Sequence, residues 1–310
     1  MKILLTGASG FLGSRLIKNL HTKQDVILTA AVRRMAQISA SRILEVQSLD
    51  ANTDWSTAVA NQQVVIHVAA RAHVMKDEIY DPLAEYRRVN VEGTVNLARQ
   101  ASEAGVQRFI FISSIAVNGS ISTKPFTEYD VPNPTELYAQ SKWEAEKGLW
   151  EIQHETGIEL VIIRPPLVYG PNAPGNFGSL MRWIDKGVPL PLGGIRNQRT
   201  LVGLDNLVDL IITCIDHPAA ANQVFLAGDG QDLSTTELLR EVAKAAGKPS
   251  RLISIPSSLL MLTATLFGKK SVAERLLGSL QVDISKASDL LSWQPPFSTE
   301  EGLRRCFRKD

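Results

Sequence analysis

The stretch from Lys2 to Leu20 constrains the fold more than any other. Ile3-Leu4-Leu5 is a short apolar run of the kind found in a strand buried on both faces. Thr6-Gly7-Ala8-Ser9-Gly10-Phe11-Leu12-Gly13 follows, with Gly-x-x-Gly-x-x-Gly spacing. Leu12, Leu16, Ile17 and Leu20 then fall on one side of an amphipathic helix. In such a loop Gly7 makes the tight turn, Gly10 lets the backbone approach a pyrophosphate, and Gly13 allows close helix–sheet packing. The anion rests on the helix N-terminus, where free N–H groups and the helix dipole favour negative charge. A plain glycine-rich loop would not require a strand before it and a helix after it. That context makes dinucleotide binding the expectation.

Further strands follow at α/β spacing. Val26 to Val32 reads as the second and ends at Arg33-Arg34, about 20 residues past the last glycine, where a ribose contact is expected. A carboxylate there would hold the 2′-hydroxyl of NAD, whereas two arginines suit the 2′-phosphate of NADP. NADP(H) is therefore the favoured cofactor and NAD(H) the alternative. Ile43 to Val46 reads as the third strand, with Leu49 and Asp50 just beyond. Asp50 is placed to accept from an adenine amino group, or to cap a helix starting near Trp55. Val64 to Ala70 is the fourth strand, and its small Ala69 and Ala70 would let a cofactor lie against the backbone. His67, inside that strand, reads as a satisfied core histidine. A long helix is expected from about Pro82 to Ala104, then a fifth strand from Phe109 to Ser114. Strands alternating with helices give a doubly wound parallel sheet, with ligands beyond the carboxyl ends of its strands. Ser114 sits at such an end.

Tyr138-Ala139-Gln140-Ser141-Lys142 places a phenol and an ammonium about one helical turn apart, on one face. The ammonium is expected to lower the phenol's pKa, making it a proton donor and acceptor near neutral pH. A solvated surface pair is the plain alternative.

Composition excludes several classes. The 310 residues are 44% hydrophobic and 21% charged, with a formal net charge of +1, so no broad nucleic-acid or anionic-membrane footprint is expected. Cys214 and Cys306 are far apart, in no metal-ligand spacing, and read as reduced cytosolic thiols. No signal peptide is expected ahead of the first strand, so the location expected is cytoplasmic. The apolar run Leu259 to Phe267 is too short to span a bilayer. Its Leu259, Leu260, Leu262 and Leu266 read as core or a dimer face sooner than as a membrane anchor, and a homodimer is one expectation.

Taken together these residues resemble the extended short-chain dehydrogenase/reductases of the NAD-dependent epimerase/dehydratase type, across essentially the whole chain. Thr6 to Gly13 resembles the cofactor loop, His67-Val68-Ala69-Ala70 the fourth-strand motif, and Asn90-Val91-Glu92-Gly93-Thr94 the central helix. Ser113-Ser114-Ile115-Ala116-Val117-Asn118-Gly119 resembles the Ser-Ser-x-x-Val-Tyr-Gly strand, with Asn118 for the usual Tyr. Tyr138 to Lys142 resembles the active-site helix, and Arg164 to Pro171 the strand closing the nicotinamide pocket.

The resemblance implies that Ser114, Tyr138 and Lys142 are the catalytic triad. Lys142 would also hold the nicotinamide ribose. The cofactor set is then Gly7, Gly10, Phe11, Leu12, Gly13, Arg33, Arg34, Leu49, Asp50, Ala69, Ala70, Tyr138, Lys142 and Pro165. Ser114, Tyr138, Asn176 and Arg199 would meet a nucleotide sugar, with UDP the expected nucleotide. Asn176 and Arg199 are the implied diphosphate contacts, and Pro189 to Gly194 the uracil-side loop. The usual Arg-Pro-Gly-Asp segment is replaced by Gly278 to Asp283, leaving Arg275 as a substitute, and Ala72, flanked by Arg71 and His73, stands where a basic sugar contact is common.

The expected partition is a dinucleotide-binding domain over about 1–170, rejoined by about 200–225, and a smaller α/β substrate lobe over about 171–199 and 226–310. Dehydration is disfavoured, because Ile115 and Ala116 stand where the resembling dehydratases carry an Asp-Glu pair. Arg33-Arg34 favours an NADPH-dependent 4-keto-sugar reductase. The alternative is a UDP-hexose or UDP-N-acetylhexosamine 4-epimerase, and a minor one is a non-catalytic NADP-sensing protein.

Overall fold

The structure, a computed structural model, describes residues 1–35, 38–72 and 81–308, except the side chains of Asn176 and Ser271. Its first half alternates β1 (Lys2–Thr6), α1 (Phe11–His21), β2 (Ile27–Val32), β3 (Arg42–Glu45), α2 (Ser56–Val59), β4 (Val64–His67), α3 (Pro82–Tyr86), α4 (Gly93–Glu103) and β5 (Arg108–Ile112). The 20-residue α5 (Leu137–Thr156) leads into β6 (Glu159–Arg164), β7 (Leu167–Tyr169), α6 (Gly175–Asp185), β8 (Arg199–Gly203), α7 (Leu204–Asp216), β9 (Gln223–Leu226) and β10 (Asp232–Leu233). The helices α8 (Thr235–Ala245), α9 (Ser257–Leu266), α10 (Lys270–Leu277), α11 (Ser285–Leu291) and α12 (Thr299–Arg305) follow.

Seven strands form one parallel sheet in the order β3-β2-β1-β4-β5-β6-β9. This is the Rossmann-like α/β fold that the pattern predicts. The order reverses between β1 and β4, which opens a crevice beyond their carboxyl ends. Alternate residues of β1 face opposite layers. Ile3 and Leu5 pack with Leu16, Leu20 and Leu207 on one side, and Leu4 with Leu97, Ala101 and Leu149 on the other. A three-stranded sheet, β10-β8-β7, lies over a separate apolar cluster built on Tyr169, Phe177, Leu201 and Leu239.

Four expectations are corrected here. The fourth strand ends at His67 rather than Ala70, and the fifth at Ile112, so Ala69, Ala70 and Ser114 lie on the loops beyond the strand ends. The long helix from Pro82 is not regular: Arg87–Glu92 is a π-helical turn between α3 and α4. Asp50 does not cap the helix near Trp55. Its Oδ1 accepts from the Asn52 N–H at 3.0 Å in a local turn, and Asp54 accepts from the Ser56 N–H instead. Leu259, Leu262 and Leu266 of α9 are exposed and form no core of this chain, although Leu260 packs against the Tyr169 cluster.

His67 is a satisfied core histidine. Nδ1 lies 2.7 Å from Thr6 Oγ1 and Nε2 2.9 Å from Thr94 Oγ1. Both ring nitrogens are engaged, and burial, with Lys142 second, pushes its pKa down to about 3. Between the ordinary value of 6.5 and about 3, the unfolded chain binds the proton and the folded chain does not. Stability is therefore expected to fall as pH drops through that window. Urea unfolding at stepped pH should show this slope, and His67→Gln should flatten it.

Candidate active site

α5, the helix carrying Tyr138 and Lys142, is held with one of its faces buried against the sheet. Ala139, Ser141, Lys142, Ala145, Glu146 and Leu149 are all buried, so the helix can turn neither outward nor about its axis without burying something polar unpaired. Glu146, one turn past Lys142 and fully buried, is the anchor. Arg164 at the end of β6 donates Nε to Glu146 Oε1 at 3.0 Å and Nη2 to Oε2 at 2.5 Å. Ser113 Oγ donates to Oε1 at 2.5 Å. Arg164 Nη1 donates to Asn118 Oδ1 at 2.9 Å, and Asn118 Nδ2 donates to the Thr127 carbonyl. Asn118, standing where the family pattern has Tyr, is thus a buried link in this network.

Lys142 is buried with its Nζ 4.1 Å from the centre of the Phe111 ring. Burial lowers its pKa to about 7, with Glu146 pulling the other way. Tyr138 is half-buried, 6.1 Å ring-to-ring from Tyr86. Burial, then the Tyr86 phenol, pushes Tyr138 up to about 12. The expected lowering of the phenol by Lys142 does not hold, because desolvation acts on both groups and disfavours the ionised form of each. Ser114 is half-buried at the start of a 3₁₀ turn, where its Oγ accepts from the Ala116 N–H at 3.2 Å. Asn90, at the centre of the π turn, donates to Ser141 Oγ and exchanges two hydrogen bonds with the Arg71 backbone. The π turn therefore fixes the loop after β4 and the catalytic helix together.

The glycine loop fits a dinucleotide. Gly7 has φ +68°, and a Cβ there would lie 2.7 Å from the Ala69 nitrogen, so β1 and β4 meet where only glycine is tolerated. A Cβ on Gly13 would lie 2.1 Å from the Gly7 carbonyl. Gly10 differs: its only neighbour on that side is the Gly7 oxygen at 3.1 Å, which leaves an open cradle at the α1 N-terminus. Phe11 and Leu12 begin that helix, and Pro165 is buried, its carbonyl accepting from the Ile115 N–H. Leu49 backs onto Gly93, and Asp50 Oδ2 pairs with Arg88 Nη1 at 3.3 Å. Arg33 and Arg34 follow β2 directly and are exposed.

On the substrate side, Arg199 Nη1 donates to the Arg275 carbonyl at 2.6 Å and the Gly278 carbonyl at 3.1 Å. Arg275 lies 3.6 Å from Glu136, the residue that starts α5 two positions before Tyr138. The two arginines are thus brought to the N-terminal end of the catalytic helix. The Asn176 side chain and His73 lie outside the described residues. Pro189 to Gly194 is pinned by Gly193 N–H to the Ile253 carbonyl and by Thr236 Oγ1 to the Leu192 carbonyl. Among the described residues no cluster of His, Cys, Asp and Glu could hold a metal ion.

A family model described as the NAD dependent epimerase/dehydratase family matches residues 3–228. The chain belongs to that family. It is 50% identical over 306 residues to a UDP-glucose 4-epimerase of Vibrio cholerae, covering 98% of this chain and 93% of the relative. It is 30% identical over 329 residues to the N-acetyl-alpha-D-glucosaminyl-diphospho-ditrans,octacis-undecaprenol 4-epimerase of Escherichia coli O157:H7, covering 99% and 94%. Among solved structures, UDP-glucuronic acid 4-epimerase of Bacillus cereus superposes with a TM-score of 0.80 at 23% identity, covering 98% of this chain and 97% of that one. That match concerns the fold. The chain is accordingly an NAD-dependent nucleotide-sugar enzyme, and these two relatives, both named as 4-epimerases, favour the epimerase alternative over the reductase.

Sequence reasoning singled out the triad but missed what holds it. Glu146 at i+4 from Lys142, a carboxylate on the inward face of a helix, was the available signal. Arg164→Met leaves that carboxylate buried without its partner. A loss of about 3–5 kcal/mol is expected, the usual cost of breaking a buried pair, read by chemical denaturation.

Proposed function

We propose that the chain is a 4-epimerase acting on a sugar joined through diphosphate to its carrier, with UDP-hexose the leading substrate and NAD the cofactor. The observation that supports it most is the 50% identity to a UDP-glucose 4-epimerase across nearly the whole chain, with Ser114 on the loop beyond β5 and Tyr138 and Lys142 one turn apart on α5. The family description favours NAD over the NADP suggested by Arg33-Arg34, which are solvated at the strand end. The proposed partition assigns the seven-stranded sheet to the cofactor and the β10-β8-β7 sheet with α6 and α8–α10 to the substrate.

In this reading Gly7, Gly10 and the α1 N-terminus hold the pyrophosphate, and Lys142 the ribose beside the nicotinamide. The nicotinamide, when bound, supplies the hydride acceptor and donor. Ser114 Oγ orients the C4 oxygen. Tyr138 takes the proton from the C4 hydroxyl and later returns it. A phenol held near 12 is almost wholly protonated at neutral pH, so its phenolate forms only with the help of neighbouring positive charge. Lys142, one turn away, supplies that charge only while protonated, which Glu146 supports. Arg199 and Asn176 are proposed for the diphosphate. The Escherichia relative's name describes a sugar on a diphospho-undecaprenol carrier, and a diphosphate is common to both carriers.

The test is interconversion of UDP-glucose and UDP-galactose by purified protein without added cofactor. Turnover is expected, and Tyr138→Phe should cut it about 10²–10⁴-fold while the cofactor stays bound. NADPH consumption with a 4-keto sugar, and no interconversion, would restore the reductase. Lys142 also sets a pH dependence: its pKa of about 7 makes the ammonium fraction fall as pH rises through neutrality. Isothermal titration should show UDP binding weakened by Arg199→Ala with NAD affinity unchanged.

A further inference from the structure

α9 is the one apolar helix whose outer face has no cover among the described residues. Leu259, Leu262 and Leu266 recur at i, i+3 and i+7, so they form one stripe. They are 49%, 58% and 76% exposed, and Phe267 beyond them is 79% exposed. Soluble monomers rarely present a contiguous apolar surface of this kind without a use for it. The opposite side is already committed, since Leu260 packs onto the Tyr169 cluster. The stripe therefore faces outward by construction.

The charges around it select the occupant. No charged residue lies between Ser257 and Gly268, and the exposed pair Lys269-Lys270 follows at once. From Lys248 to Arg275 the chain carries five basic residues and one acidic residue, Glu274, which lies 3.6 Å from Lys270. A two-fold contact would set this surface against itself, placing lysines beside lysines with a single acid to answer them. An anionic lipid surface meets both properties: the leucines enter the boundary of the acyl chains and the lysines meet the headgroups. No described helix is long and apolar enough to cross a bilayer, so the helix would lie in the interface.

Position adds the last argument. The segment leading into α9 pairs with the uracil-side loop, Leu190 with Leu252 and Gly193 with Ile253. The segment leaving it, α10, carries in its last turn the Arg275 carbonyl that accepts from Arg199. The stripe thus lies between two segments that meet the proposed carrier contacts of the substrate lobe.

We propose that α9 and the turn through Lys270 form an interfacial docking face that seats this protein on an anionic lipid bilayer, with the carrier end of its cleft at the membrane surface. This goes beyond the epimerase reading and needs no turnover to be tested. The whole chain is sedimented with phosphatidylcholine vesicles, with and without phosphatidylglycerol. Binding is expected with the anionic vesicles and should weaken with salt. Leu262→Glu/Phe267→Glu and, separately, Lys269→Glu/Lys270→Glu should each reduce it roughly tenfold or more, by removing apolar area or lysine attraction. Thermal unfolding and turnover of soluble UDP-hexose should stay at wild-type levels. Should the first variant fail to fold, Leu266→Ser/Phe267→Ser tests the same face at its two most exposed positions. Wild-type protein left in the supernatant with both vesicle types overturns the proposal. So does equal binding by the variants, or a dimer in sedimentation velocity that the leucine variant dissociates while no vesicle binding is seen.

Discussion

The Glu146–Arg164 pair is the contact on which the candidate site depends. It joins the catalytic helix to the end of β6, and through Ser113 and Asn118 to the loop after β5. Two fully buried charges are costly to desolvate, and bidentate geometry with further hydrogen bonds is what makes such a pair tolerable. What the pair secures is position. A helix packed only by Ala145 and Leu149 could rotate by a fraction of a turn at small cost. A helix carrying Glu146 cannot, because the carboxylate would leave its three donors. Lys142 and Tyr138, one and two turns earlier, inherit that fixed angle.

The same burial sets the protonation states. Lys142 beside Phe111 is held near 7, and Tyr138 is held near 12. Neither group is ionised by its surroundings alone; each depends on a neighbour of opposite sign. Glu146 serves Lys142 in this way from within the protein.

Much of this was legible in the chain. Gly7, Gly10 and Gly13, set between a strand and a helix, specified the parallel fold and the cofactor cradle, because backbone clashes leave no other residue at Gly7 and Gly13. Ser234-Thr235-Thr236-Glu237 has the spacing of a capping box, and one forms at the start of α8. Tyr138, Lys142 and Ser114 were singled out by type, spacing and the family resemblance. The buried network was not, since Glu146, Ser113, Arg164 and Asn118 are far apart in sequence and meet only once the sheet forms. The cofactor preference misled for a related reason: two arginines at a strand end state a charge, not a direction. The leucines of α9 read as core or a dimer face, and only the core reading fails, because composition cannot tell an inward face from an outward one.

The π turn at Arg87–Glu92 carries a consequence for how the chain tolerates length changes. A π turn holds one residue more than the α-helical turn it replaces. Were the same residues all wound as continuous α-helix, everything upstream would swing by about 100° relative to α4, the angle of one helical residue. Asn90 would lose its hold on Ser141 and on the loop after β4, and Tyr86 would leave Tyr138. The irregularity absorbs the extra residue, so that the helix on either side keeps its facing.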